Sequence, residues 1–377
     1  MRVYFDNAAT TPVREEAIEA MTKMMREEFG NPSSTHALGR NARKALEEAR
    51  RNVASSLGVR ENEIFFTSGG TEADNWAVFG ACKLNFRNGK HIITSAVEHD
   101  AVKNPIAEME KNGYEVTYLS PEKDGTISLE AFKEALRPDT AFASVMAVNN
   151  ETGAINPVHL FAEEIKRRGL KTIFHTDAVQ AFCKIPMQAK AFGADMVSIS
   201  SHKIHGPKGV GALYINNGLK LPPLILGGGQ EGGKRSGTEN LPAICGFGEA
   251  ARLGATEFKT SYAHVSELRT LSENEIKLKV HEIIFISENG SPNILSISLP
   301  GYKSEVLMTF LDAEGICVAK SAACKKGGRS RVLEAMKLKN EVIDGAIRVS
   351  FSKDSTVAEI RFFAEKLGEA TKKIMRA

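Results

Sequence analysis

Between Ile64 and about Leu224, short β-type runs alternate with amphipathic stretches, and this alternation restricts the possible folds more than any other feature of the chain. Residues 64–67, 91–95, 115–119, 143–148, 171–176, 196–200 and 211–215 read as strands, with helical material between most of them. A crossover helix between successive strands returns the chain to the same end of a sheet, so the pattern predicts a mostly parallel, covered sheet of the α/β class. Upstream, Ala42, Ala45, Leu46, Ala49 and Val53 recur at helical spacing, predicting an amphipathic helix over 40–57.

The pattern changes after this region. A long charged helical stretch over 249–278 is followed by strand-like runs at 282–287, 293–299, 315–319 and 346–351. They predict a second unit with a boundary near residue 255. Thr356 and Glu359 stand in a capping-box relation ahead of Val357, Ile360, Ala364, Leu367 and Ile374, so the last helix should dock rather than trail as a tail.

A length of 377 residues suits two or three domains. With 49 basic and 46 acidic side chains, the net charge of +3 gives no strong expectation of nucleic acid or an anionic membrane surface. A small-molecule partner is expected. No apolar run reaches the ~18 residues of a spanning helix, and residues 1–12 lack a basic start followed by an apolar stretch, which predicts a cytoplasmic chain. Cys82, Cys183, Cys245, Cys317 and Cys324 are odd in number, irregularly spaced and without a C-x-x-C, so free thiols in a reducing compartment are expected.

Chemistry concentrates where strands end. The run ending at Thr67 leads into Ser68-Gly69-Gly70-Thr71-Glu72 and then a helical stretch, a turn whose glycines and free N–H groups suit a phosphate, though a plain tight connection has the same form. It has neither the Walker lysine nor the G-x-G-x-x-G spacing, which disfavours nucleotides. Asp177 ends one β run and Lys203 follows another, so in a parallel sheet both emerge at the ligand-binding edge. Either residue alone fits a surface ion pair. Together, and beside the phosphate-type turn, they suit pyridoxal 5'-phosphate, with a lysine for the Schiff base and a carboxylate for the pyridine nitrogen. His202 and His205 form H-x-x-H, but the lysine between them and the missing carboxylate or cysteine partner lead us to expect no metal.

With these residues in view, the chain resembles the cysteine desulfurases of the NifS/IscS kind, fold type I pyridoxal-phosphate enzymes of the class V aminotransferase family. Phe5-Asp6-Asn7-Ala8-Ala9-Thr10-Thr11-Pro12, Gly30-Asn31-Pro32-Ser33-Ser34, Phe66 to Glu72, Glu98-His99, Asn149-Asn150-Glu151-Thr152-Gly153, the Asp177 and Lys203 segments and Arg235-Ser236-Gly237-Thr238 match in family order over nearly the whole chain. The resemblance implies a large domain (15–255) with a mostly parallel seven-stranded sheet covered by helices, and a smaller α+β domain (1–14 and 256–377) carrying the nucleophile loop. It further implies Lys203 as the Schiff-base lysine, Asp177 on the pyridine nitrogen and His99 stacked on the ring. Gln180 and Asn150 would contact the ring oxygen region and substrate, and Gly70, Thr71, Ser200 and His202 the phosphate, with Thr238 reaching in from the partner of a homodimer. Arg348 would pair with the substrate carboxylate. Cys324 would take sulfur from L-cysteine as a persulfide, leaving L-alanine, and pass it to an acceptor such as an iron–sulfur scaffold protein. Neither direct nucleic-acid binding nor membrane attachment is implied.

The chain departs from the family around its nucleophile. Ala319-Lys320-Ser321-Ala322-Ala323-Cys324-Lys325-Lys326-Gly327-Gly328 replaces the usual serine- and glycine-rich run, and the cations Lys320, Lys325, Lys326 and Arg329 should favour a Cys324 thiolate. Substrate preference and acceptor choice are therefore open: a selenocysteine lyase, another fold type I lyase or aminotransferase, and a non-catalytic scaffold homologue are the rival readings. Gly232 and Lys234 are a smaller departure, at the expected subunit contact. Cys82, Cys183, Cys245 and Cys317 lie among apolar residues and read as structural.

Overall fold

A computed structural model describes residues 2–287, 289–321 and 328–376. Its centre is a seven-stranded sheet in the spatial order Ile64–Thr67, Gly211–Ile215, Met196–Ser200, Ile173–Asp177, Thr140–Ser144, His91–Ser95, Glu115–Leu119. Only Gly211–Ile215 runs against its neighbours. The alternation in the sequence thus becomes the covered α/β sheet it predicts. Helix Gly70–Asn85 lies on one face, sealing Trp76, Ile92, Phe142 and Met196. On the other, Phe132, Phe161 and Phe174 form an aromatic cluster, and Phe66 and Phe182 pack against Phe247 of helix Leu241–Thr256.

Two strand expectations shift. The run read at 143–148 becomes the strand Thr140–Ser144, beyond which the buried Val145 to Val148 continue beside the Asp177 strand, with Val145 N and Ala147 N donating to His175 O and Asp177 O. The run at 171–176 pairs as Ile173–Asp177, carrying Asp177 into the last sheet position. The helix expected at 40–57 spans Ala37–Leu57, with His36 accepting from Gly39 N at its start and Gly58 left-handed (φ 67°) at its end. The stretch at 249–278 breaks at Glu257 into Leu241–Thr256 and Phe258–Lys279.

The second sheet runs Ala319–Lys320, Ala346–Ser350, Ile294–Ser298, Ile284–Phe285, all antiparallel. The strand expected at 315–319 divides, since Ile316–Cys317 pairs in parallel with Val3–Tyr4 instead. The amino terminus is thereby built into this second layer. Phe5 is fully buried edge-on to Phe351 and Phe363, and Asn7 Nδ2 donates to Ser350 O at 2.9 Å. From there the chain crosses to the carboxyl edge of the large sheet. The final helix, Val357–Lys373, starts with the reciprocal Thr356–Glu359 capping box the sequence predicts. Among the described residues no helix is long and apolar enough to cross a membrane.

Candidate active site

The carboxyl ends of the strands deliver their side chains to one cavity of about 300 Å³. Gly70 and Thr71 arrive from the strand ending at Thr67, His99 from the one ending at Ser95, Asn150 beyond Ser144, Asp177 at its own strand end, and Ser200, His202 and Lys203 from the one ending at Ser200. Gln180 and Arg348 complete the group. Every sequence-predicted site residue except Thr238 and Cys324 is on this wall. Thr238 is exposed and outside it. Cys324 lies outside the described residues.

Lys203 sits in a short 3₁₀ turn after its strand, and its Nζ donates to Ala8 O and Ala9 O, each at 2.7 Å. Gln180 Nε2 donates to the same Ala8 oxygen at 2.8 Å, while its Oε1 accepts from Lys184 Nζ at 3.0 Å. The amino-terminal crossing thus supplies the backbone acceptors that aim both side chains. His99 caps helix Asp100–Lys111 by accepting Ala101 N at Nδ1 (3.1 Å), which leaves Nε2 as the protonated nitrogen of the neutral ring.

Asp177 accepts Val179 N at 2.9 Å. Burial raises its pKa, opposed first by the nearby His99 and then by the Val179 N–H and Lys203. Asp74, one helical turn after Gly70, is a second carboxyl on the wall and is 1% exposed. Burial and the neighbouring Asp177 push its pKa well up. Beside it His175 has both ring nitrogens engaged, with Ser144 and Ser198 hydroxyls at 2.9 Å, and burial drives its pKa down to about 3. His175 is therefore a neutral wedge. Glu98 accepts Ser95 Oγ (2.6 Å) and Met146 N (2.9 Å), and burial pushes it up to about 8.

Arg348 is 1% exposed. Its Nη2 pairs with Asp6 Oδ1 at 2.8 Å and its Nη1 donates to Asn150 O at 2.8 Å, whereas Nε is buried with no partner among the described residues. Arg348 also lines the cavity, and a guanidinium there suits an incoming anion. Burial, with Lys203 adding to it, lowers His202 to about 4, so the neutral ring, bonded to Thr10 Oγ1 at 3.2 Å, can bind only by hydrogen bonds. Around Gly70 a Cβ would come within 2.9 Å of Val179 Cγ2, so only glycine lets the turn close in. Lysine, buried carboxylate, capped histidine and glycine turn fit pyridoxal phosphate. Sequence reasoning passed over Asp74 and the Ala8 and Ala9 carbonyls. Asp74 had a signal in its i+4 spacing from Gly70; backbone oxygens leave none.

The family model for class-V aminotransferases matches residues 3–363. Over 99% of its length the chain is 41% identical to a protein named cysteine desulfurase IscS of Methanosarcina thermophila, covering 92% of that relative. A like-named protein of Dictyoglomus turgidum is also 41% identical, with 99% and 95% of the two chains covered. Among solved structures, one titled NifS-like protein superposes with a TM-score of 0.94 at 37% identity, covering 99% of this chain and all of the other. SspA in complex with cysteine gives 0.82 at 32%, with 94% and 100% covered.

Proposed function

The chain belongs to the class-V aminotransferase family, and from that membership and the cavity just described we propose that it is a pyridoxal-phosphate-dependent cysteine desulfurase. It takes sulfur from L-cysteine and leaves L-alanine. The observation that carries this reading is the single cavity in which Lys203, Asp177 and His99 face Arg348. Pyridoxal phosphate, when bound, supplies an electron sink for the substrate α-carbon.

In this reading Lys203 would hold the cofactor and would carry the α-proton at its Nζ. Asp177 would keep the cofactor's ring nitrogen protonated by its charge, and His99 would pack against the ring. Gln180 and Asn150 flank the ring oxygen and substrate, while Gly70, Thr71, Ser200 and the neutral His202 take the phosphate. Arg348, on the cavity wall, receives the substrate carboxylate through its guanidinium. The Cys324 thiolate attacks the substrate sulfur, so that the S–S bond forms as the C–S bond breaks and the carbon takes up a proton. The persulfide then passes to an acceptor such as an iron–sulfur scaffold protein.

The reading includes a homodimer with Thr238 completing the partner's phosphate site. An open groove formed by Ser68 to Glu72, Ser200, His202 and Lys208 borders the phosphate turn, and the exposed Ile225 and Leu226 flank the Thr238 loop. It also includes two units, 15–255 and 1–14 with 256–377. Supporting the second is an apolar cluster that gathers Val3 and Phe5 with residues from Val265 to Ala370. A cytosolic setting suits the free Cys82, Cys183, Cys245 and Cys317 of the described residues.

The test is a joint assay of sulfide and alanine from L-cysteine, with L-selenocysteine alongside and with or without reductant. Mass analysis before reduction should find one added sulfur on the peptide holding Cys324. Equal alanine from Cys324→Ala, or the sulfur on Cys317, would overturn the nucleophile assignment.

A further inference from the structure

One carboxylate ties the Thr238 loop to the phosphate turn of its own chain. Glu72, in the first turn of helix Gly70–Asn85, accepts Ser68 N at 3.0 Å through Oε2. The same carboxylate holds the Arg235 guanidinium, with Nε at 2.8 Å from Oε1 and Nη2 at 3.2 Å from Oε2. Arg235 opens the motif that ends in Thr238. Only 15% of the Glu72 side chain and 23% of Arg235 is exposed, so salt screens the pair weakly.

A second pair anchors the start of the loop. Glu231 grips Arg50 at 2.6 and 2.8 Å and accepts Phe66 N at 2.9 Å. Its side chain is 2% exposed. Both glutamates thus bind a loop or helix arginine with one hand and a backbone N–H of the Ile64–Thr67 strand or its following turn with the other. The two arginines are forked donors, and a forked pair fixes orientation as well as distance.

We propose that Glu72–Arg235 is a positioning pair that couples the two cofactor sites of the dimer, so that losing the pair in one chain weakens binding in the other. The inference rests on the reading that Thr238 serves the partner's phosphate. A phosphate on the Gly70–Thr71 amides favours one placement of Ser68 to Glu72, and the Glu72 charge is tolerable beside that dianion only while Arg235 offsets it. An ordered Glu72 in turn holds Arg235, and with it the Thr238 backbone, where the neighbouring site needs it. Both ligands then bias the same loop arrangement, which is the differential contact a coupling requires, and linkage makes the effect reciprocal.

Hybrid dimers separate this from a local effect. An unaltered chain is paired, through two affinity tags, with a chain carrying Lys203→Ala and Arg235→Ala, so that only the unaltered chain can hold the cofactor covalently. Pyridoxal phosphate is titrated in, the bond is fixed with borohydride, and the labelled fraction of the unaltered chain is read by mass. Its dissociation constant should rise about tenfold over a hybrid carrying Lys203→Ala alone, within the usual range of site coupling. Glu72→Gln in place of Arg235→Ala leaves the loop sequence intact and should give a similar rise. If neither substitution changes the constant while Thr238→Ala in the silent chain raises it, the coupling is wrong and the shared site stands. If Thr238→Ala also has no effect, the shared-site reading itself fails.

Discussion

Asp177 and Asp74 line the same cavity, Glu98 acts electrostatically on Asp74, and each of the three is almost wholly buried. Water cannot stabilise them there, so proximity to cations decides which is charged. Asp177 has the Lys203 ammonium near it and accepts the Val179 N–H. Among the described residues, Asp74 has only the neutral His175 at ion-pair range, 3.6 Å away. The anion therefore belongs on Asp177, as its assigned role requires. Asp177→Asn should keep some cofactor yet slow exchange of the substrate α-proton for deuterium by about 100-fold, because a preorganised charge has been removed; unchanged exchange would refute the role. Glu98 allows a test by stability. Its folded pKa of about 8 lies above the ordinary 4.5, so the folded state holds the proton more firmly. Its contribution is complete below pH 4.5 and is lost as pH rises towards 8, at no more than about 1.4 kcal/mol per pH unit. Urea midpoints measured from pH 5 to 8 should accordingly fall less steeply in Glu98→Gln than in the parent protein.

At the scale of elements, strand existence was legible because β-branched runs bounded by turn residues carry their own signal. Where a strand stops was less so. Val145 to Val148 remain buried beyond the strand's last residue, with Val145 N and Ala147 N still bonded to His175 O and Asp177 O, and hydrophobicity alone cannot mark where the strand stops. The capping box at Thr356 was readable since both partners are local, and Thr356→Ala should lower stability by about 1 kcal/mol in chemical denaturation. Gly211 had no such signal. A Cβ there would lie 2.7 Å from both Gly69 C and Ile199 O, backbone atoms that cannot step aside cheaply. Gly211→Ala should push the antiparallel strand off the phosphate turn. We expect a loss of about 1–3 kcal/mol in the folding free energy and weaker pyridoxal phosphate binding in equilibrium dialysis.

Over the whole molecule, the amino-terminal segment joins the two sheets and aims the lysine. Phe5 locks into the second layer, and a few residues on, the Ala8 and Ala9 carbonyls hold Lys203 in the first. Phe5→Ala should therefore cost about 3–5 kcal/mol of stability and also weaken cofactor binding far from the lesion, which thermal melts with and without pyridoxal phosphate would separate. Local patterning was sufficient to specify the α/β class, and ordered motifs the family and its cofactor, because hydrophobic period and residue chemistry are properties of neighbours along the chain; the candidates Lys203 and Asp177, read from strand ends, and His99 and Arg348, implied by the resemblance, line one cavity. Only the tertiary structure could bring Asp6 against Arg348, Glu72 against Arg235 and Asp74 beneath Asp177, since contacts between residues so distant in sequence exist only once burial has closed the sheet edge and excluded water from it.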